Sequence, residues 1–254
     1  MSNAFRVTII GSGTGIPVPE RGYAGVLVQL ANESWLLDAG PGTLKRLVEL
    51  GVTYQTLDRV WLTHLHPDHS LDLASILFAM HIPSPARTKP LTVYGPPGLQ
   101  AFANGLHALY PGMLTAESYA LTVQELTPGL VQVGPVRVVI QPMRHSLTAL
   151  GYRLEWQGKT VAYSGDTEYC DEIVQLGRAA DVLILECSVT DERKVTGHLT
   201  PSECGRIAAE AQCQQLVLTH FYPIFEGYDI LGRVRRYYAG PVELAHDLQS
   251  FQLG

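Results

Sequence analysis

The chain has 254 residues, 46% of them hydrophobic and 17% charged, with a formal net charge of −6. That size and apolar content suit a folded protein with a sizeable core, and the acidic balance argues against strong non-specific binding of nucleic acid, which draws on a basic surface. No apolar run reaches the length of a membrane span, and the first residues lack the basic start and apolar stretch of a leader. Cys170, Cys187, Cys204 and Cys213 show no C-x-x-C pairing, so free and mostly buried thiols in a cytoplasmic protein are expected.

Taken in chain order, the β-branched run Phe5 to Ile10 predicts a strand that enters the glycine-rich segment Gly11-Ser12-Gly13-Thr14-Gly15-Ile16-Pro17. A dinucleotide-binding turn is excluded there. Ile16 stands where a third glycine is needed, no Gly-Lys-Ser/Thr follows, and Pro17 and Pro19 block the helix that would receive phosphate. Gly25–Leu30 and Ser34–Leu37 read as a hairpin ending in Asp38-Ala39-Gly40-Pro41-Gly42, followed by a helix over Thr43–Leu50. A strand over Arg59–Leu62 leads to a helix at Leu71–Met80, a strand at Leu91–Tyr94 and a helix at Leu99–Leu109. Leu121 to Pro142 alternates as successive strands, split at Pro128-Gly129 and Gly134-Pro135. A hairpin over Ala149–Trp156 and Lys159–Tyr163 precedes a helix at Asp171–Arg178, a strand at Asp181–Leu185, a helix at Pro201–Ala211 and a strand at Leu216–Leu218. With no linker, low-complexity tract or charge block, residues 1–254 form one expected domain.

The chemistry concentrates in Thr63-His64-Leu65-His66-Pro67-Asp68-His69, where three histidines and an aspartate follow an apolar strand. Imidazoles and a carboxylate at this spacing suit Zn²⁺ or a similar transition metal. Pro67 argues against a regular helix through the motif, so the four side chains are expected on a loop at a strand end. Polar residues end other apolar strands in the same way: His145, Asp166, Glu186 and His220. His198 lies in the loop just before the Pro201 helix. Val60-Trp61-Leu62-Thr63-His64 is echoed by Leu216-Val217-Leu218-Thr219-His220, which suggests two similar halves bringing strand ends to one edge. Asp38 and Asp72 could each orient a ligand histidine or simply cap a turn or helix.

The series His64-x-His66-x-Asp68-His69, His145, Asp166 and His220 resembles the metallo-β-lactamase fold superfamily. Gly11 to Pro17, Leu37 to Thr43, Leu185 to Ser188, His198 to Thr200 and Leu218 to Phe221 resemble its ribonuclease Z-like branch, which includes phosphodiesterases. The resemblance implies an α/β four-layer αββα sandwich of two mixed sheets with helices outside. It implies two divalent ions, Zn²⁺ or alternatively Mn²⁺. His64, His66 and His145 would hold one, Asp68, His69 and His220 the other, and Asp166 would bridge them. His198, Glu186 and Asp68 are the implied catalytic residues, with His198 as a general acid oriented by Glu186. A homodimer is implied as well. Two such cations about 3.5–4 Å apart lower the pKa of a bound water towards neutrality and offset charge on a phosphodiester.

Ribonuclease Z itself carries a Gly/Pro-rich arm that grips transfer RNA. Between His145 and Asp166 this chain has room for one hairpin, so no arm fits there. The expected activity is therefore hydrolysis of a small nucleotide-like phosphodiester or a short RNA end, with tRNA 3′-end cleavage as the alternative. An aryl sulfatase, an ester or lactone hydrolase, or a metal-binding sensor without turnover are further alternatives. Flavodiiron-type members want a carboxylate where His66 stands, and β-lactam hydrolysis fits the Glu186–His198 pair poorly. The segments His81–Lys89, Tyr110–Tyr119 and Tyr222–Tyr228 are expected to rim the cleft.

Overall fold

The computed structural model describes residues 5–253; Met1–Ala4, where the absence of a leader was read, and Gly254 lie outside them. Two seven-stranded sheets face each other. The first has the order β14-β1-β2-β3-β4-β5-β6, from β14 (Gln249–Leu253), β1 (Phe5–Gly11), β2 (Gly25–Leu30), β3 (Glu33–Leu37), β4 (Arg59–Trp61), β5 (Leu91–Gly95) and β6 (Leu121–Glu125). The second runs β13-β12-β11-β10-β9-β8-β7, from β13 (Val242–Leu244), β12 (Leu216–Thr219), β11 (Val182–Glu186), β10 (Lys159–Tyr163), β9 (Leu150–Trp156), β8 (Val136–Pro142) and β7 (Gly129–Val133). In each sheet one half is an antiparallel meander and the other half is parallel: β3 to β6 in the first, β10 to β13 in the second.

Strand alternation builds the layers, because successive side chains leave opposite faces. Val60 and Leu62 face outward, where helices α1 (Thr43–Glu49), α3 (Asp72–His81) and α4 (Leu99–Leu109) cover the first sheet. Trp61 between them faces inward and stacks on Tyr94 at 4.0 Å and on Trp35 at 5.4 Å between centroids, with Tyr152 of the second sheet edge-on at 5.4 Å. Leu183 and Leu185 likewise pack under α5 (Asp171–Leu176) and α6 (Pro201–Ala211), while Ile184 joins the inter-sheet core. The result is the αββα sandwich expected from the resemblance. No helix among the described residues is long and apolar enough to cross a membrane.

Several expectations need correction. Pro67 does not keep the motif in a loop: it opens the short helix α2 (Pro67–Ser70). Proline is favoured at a first helical position, where its missing N–H is needed by no carbonyl. His64 and His66 therefore lie on the loop, Asp68 and His69 on the helix. The elements after Leu218, namely α7 (Ile230–Val234), β13 and β14, were not read from the sequence; the two strands are short, with half-exposed residues and little periodic signal. Of the three expected rim segments, Tyr222–Tyr228 borders the site, with the Tyr222 ring centroid 6.2 Å from that of His198 and 6.0 Å from that of His220. His81 Nδ1 donates to Thr115 O, and the buried Arg87 guanidinium bonds Leu57 O and Pro90 O at 2.8 and 2.7 Å, so the other two segments are tied to each other and to the α1–β4 connection. All four cysteines are free and buried.

The interior stack of Trp61 joins the two sheets beneath the histidine motif. Trp61→Ala is expected to lower the unfolding free energy by about 3–5 kcal/mol in denaturant titrations. A loss under about 1 kcal/mol would show that the stack contributes little.

Candidate metal centre

The parallel strands end on one edge of the sandwich, and the candidate residues follow directly from them. β3 delivers Asp38, β4 delivers His64 and His66, β10 delivers Asp166, β11 ends on Glu186, and β12 runs into His220. β8, which points the same way, delivers His145. Gly165, at φ +57°, permits the closest crossing of the two halves: a Cβ there would lie 2.6 Å from Thr63. Gly40 passes so near α2 that a Cβ would meet Asp68 O at 2.2 Å. The two Thr-His strand ends of the sequence echo put His64 and His220 on either side of Asp166.

The side chains form two groups that share one carboxylate. His64, His66 and His145 offer donor atoms within 4.8 Å of one another, as do Asp68, His69 and His220. Asp166 lies between them. Its Oδ2 is 3.9 Å from His64 Nε2 and 3.7 Å from His145 Nε2, and its Oδ1 is 3.3 Å from His69 Nε2 and 3.5 Å from His220 Nε2. His64 Nε2 and Asp166 Oδ1 are buried with no hydrogen-bond partner. Buried polar atoms left unpaired are costly, and a cation between them would remove that cost. The donor set of imidazole nitrogens and carboxylate oxygens fits a divalent transition metal.

Most of the histidines are fixed through their other nitrogen. His69 Nδ1 donates to Asp38 Oδ2 at 2.9 Å, and His145 Nδ1 donates to Gly197 O at 2.8 Å. His64 Nδ1 lies 3.0 Å from Thr63 Oγ1, which in turn donates to Asp38. His220 Nδ1 lies 2.9 Å from Ser188 Oγ, which donates to Glu186. Each such bond leaves the Nε2 lone pair turned towards the centre, the arrangement expected of ligand histidines. His66 differs, presenting Nδ1 3.0 Å from His145 Nε2. Asp38 and His220 both adopt positive φ, 60° and 61°, conformations that side-chain-bearing residues rarely hold away from sites that need them.

Of the two uncertain aspartates, Asp38 orients a histidine, whereas Asp72 Oδ2 accepts from Leu44 N at 2.7 Å and caps α1. Tyr163, whose hydroxyl donates to Asp38, has no place among the sequence candidates, and Ser188 has one only as the end of the Leu185–Ser188 motif. Tyr163 carries no signal there beyond a strand aromatic; Ser188 sits two residues past Glu186. Glu186 is buried rather than solvated at its strand end, and it accepts from Thr167 N at 2.8 Å and Leu199 N at 3.2 Å. His198 Nδ1 is 3.0 Å from Glu186 Oε1 and 4.0 Å from Asp166 Oδ2, so the imidazole borders the shared carboxylate.

Electrostatics follow from this crowding. Burial would raise the Asp166 carboxyl, but His220 and His69 hold it well below its ordinary range. Burial and the neighbouring His69 push His64 well down, towards the neutral form that can ligate. His69 moves the other way: burial opposes its charge, yet Asp166 and Asp38 keep it well above the ordinary imidazole value, so a cation there must displace its proton. For His198, burial is outweighed by the bond to Glu186 and by its charge, and the imidazole is raised. Asp38→Asn is expected to weaken metal affinity about 10–100-fold in chelator competition while a cooperative thermal transition persists. Unchanged affinity would remove Asp38 from the support of the site.

The Beta-lactamase superfamily domain matches residues 34–221, which span both histidine-bearing strand ends. A ribonuclease Z of Mycolicibacterium paratuberculosis is 32% identical, with 98% of each chain covered. The metallo-beta-lactamase fold protein YhfI from Bacillus subtilis superposes with a TM-score of 0.83 at 26% identity, covering 98% of this chain and all of that one. Human tRNase Z, short form, does so with a TM-score of 0.79 at 25% identity, covering 97% and 98%. The chain belongs to the β-lactamase superfamily and, within it, to the ribonuclease Z-like metal-dependent hydrolases.

Proposed function

We propose that this chain is one dinuclear hydrolase domain that cleaves small nucleotide-like phosphodiesters or short RNA ends. His64, His66 and His145 would hold one divalent ion, Asp68, His69 and His220 the other, and Asp166 would bridge them; Zn²⁺ suits these donors, with Mn²⁺ as the alternative. When bound, the ions supply a hydroxide nucleophile near neutral pH and offset the phosphoryl charge. The observation that carries the reading is the buried Glu186 carboxylate holding His198 Nδ1 at 3.0 Å beside Asp166. Glu186 keeps His198 protonated and leaves Nε2 to donate a proton to the departing alkoxide. Asp68, 3.6 Å from His220 Nε2, completes its group of donors at the open side.

The second reading is tRNA 3′-end cleavage, favoured by the relative named ribonuclease Z. Two observations stand against it. Between His145 and Asp166 the chain makes only the β9–β10 hairpin, turning at Gln157 and Gly158, both at positive φ. The alignment to the mycobacterial relative runs over 279 positions against 254 residues here, so that relative carries residues this chain lacks. The four buried thiols fit a cytoplasmic, reducing setting. The partner we propose is a second copy, through exposed apolar residues: Phe78 of α3 with Leu71 and Ile82 flanking that helix, and Tyr110 and Met113 just after α4. Sedimentation should show a dimer that Phe78→Glu dissociates; a wild-type monomer at all concentrations would refute it.

The decisive assay compares bis(p-nitrophenyl) phosphate, a cyclic nucleotide, an aryl sulfate, a lactone and precursor tRNA on protein carrying about two metal equivalents. Preference for the sulfate or lactone would overturn the phosphodiesterase reading. On an alkyl diester, His198→Ala should lower turnover about 10²–10⁴-fold with metal content intact. Activity should fall as pH climbs through the His198 pKa, which the bond to Glu186 and its charge raise. Glu186→Gln should move that alkaline limb to lower pH, and a limb that stays in place would exclude His198 as the acid.

A further inference from the structure

The cleft that ends on His198 is apolar, an unexpected lining beside so many charged groups. Ile16, Val195, Tyr222 and Ile224 wall a space of about 650 Å³, and Arg193 is the one cation among the residues that line it. Ile16 is 53% exposed, Val195 50% and Ile224 36%. They come from three separate connections, β1–β2, β11–α6 and the turn after β12, so local sequence does not explain their convergence. Exposed aliphatic side chains gathered over a polar site signal an apolar ligand group. A path for an extended polyanion would instead need a row of cations.

The position of the cleft within the site gives its role. Of the catalytic and metal-ligating candidates, His198 alone lines it; none of His64, His66 and His145 does. His198 is the group that protonates the departing oxygen, so what occupies the cleft is bonded to that oxygen. Resting on the phosphodiesterase reading, we infer that Ile16, Val195, Tyr222 and Ile224 form a subsite for a planar, apolar leaving alcohol, such as an aryl or nucleobase-bearing one. In the reaction, water gives up a proton to solvent and adds its oxygen to phosphorus, the P–O bond to the seated alcohol breaks, and the His198 proton passes to that oxygen and is replaced from solvent. The products are a phosphomonoester and the free alcohol. The volume admits one ring system with its linking carbons, and Arg193 can lay its guanidinium plane against a ring at the mouth.

The test is regiochemical. Methyl 2-naphthylmethyl phosphate joins two primary alcohols of similar acidity, so intrinsic reactivity does not choose between them. The metal-loaded chain should release naphthylmethanol and methyl phosphate over methanol and naphthylmethyl phosphate by about ten-fold or more. Ile16→Ser and Ile224→Ser remove exposed side chains and leave the core untouched; each should reduce that ratio several-fold, with folding checked by thermal melts. Equal release of both alcohols, preferential release of methanol, or a ratio unmoved in both variants would overturn the subsite. Bis(p-nitrophenyl) phosphate, run on the same preparation, separates the failures. If it alone is hydrolysed, the phosphodiesterase reading stands and the subsite falls; if neither diester is hydrolysed, the phosphodiesterase reading falls and the subsite with it.

Discussion

One buried carboxylate fixes the shape of the centre. Asp38 is fully buried, and its oxygens accept from the Thr63 amide at 2.8 Å, the Thr63 hydroxyl at 3.0 Å, His69 Nδ1 at 2.9 Å and the Tyr163 hydroxyl at 2.8 Å. A carboxylate taken out of water is tolerated only when such donors replace its hydration. Three of these donors come from Thr63, just after β4, and from His69 of α2, so Asp38 holds both ends of the histidine motif. The fourth comes from β10, which ties the second sheet to the same atoms. A residue outside both donor groups thus ties the two sheets together beside them.

The division of labour between the sheets follows from the same geometry. Each parallel half sends its strand ends to one edge, where backbone pairing stops and side chains are free to converge. The first sheet contributes His64, His66, Asp68 and His69, and the second contributes His145, Asp166 and His220. Neither sheet holds a complete centre. Asp166 is the exchange point, with one oxygen facing each group. Gly165 makes that exchange sterically possible, since any side chain there would strike Thr63. Beside this polar cluster lies the apolar cleft over His198, so charge and apolar surface are separated by one imidazole.

Local signals in the sequence were strong where a single segment carries the physics. The alternation Val60-Trp61-Leu62, the hairpins over Gly25–Leu37 and Ala149–Tyr163, and the helix Pro201–Ala211 all depend on near neighbours, and all lie where the pattern places them. The α2 helix was hidden because proline at a first helical position and proline within a helix look alike in sequence. The final strands were hidden because β14 pairs with β1 from the opposite end of the chain. Its register exists only once that partner is in place.

The sequence by itself determined which donor types are present, their order along the chain, and the strand ends that carry them, because ligand chemistry and strand periodicity are local properties. The tertiary structure alone decided the distances from Asp166 to the two histidine groups, that Asp38 rather than Asp72 supports them, and that Ile16, Val195 and Ile224 meet over His198. Those facts depend on how the two sheets pack, and that packing is set by the inter-sheet core and by one buried carboxylate whose donors are drawn from both sheets.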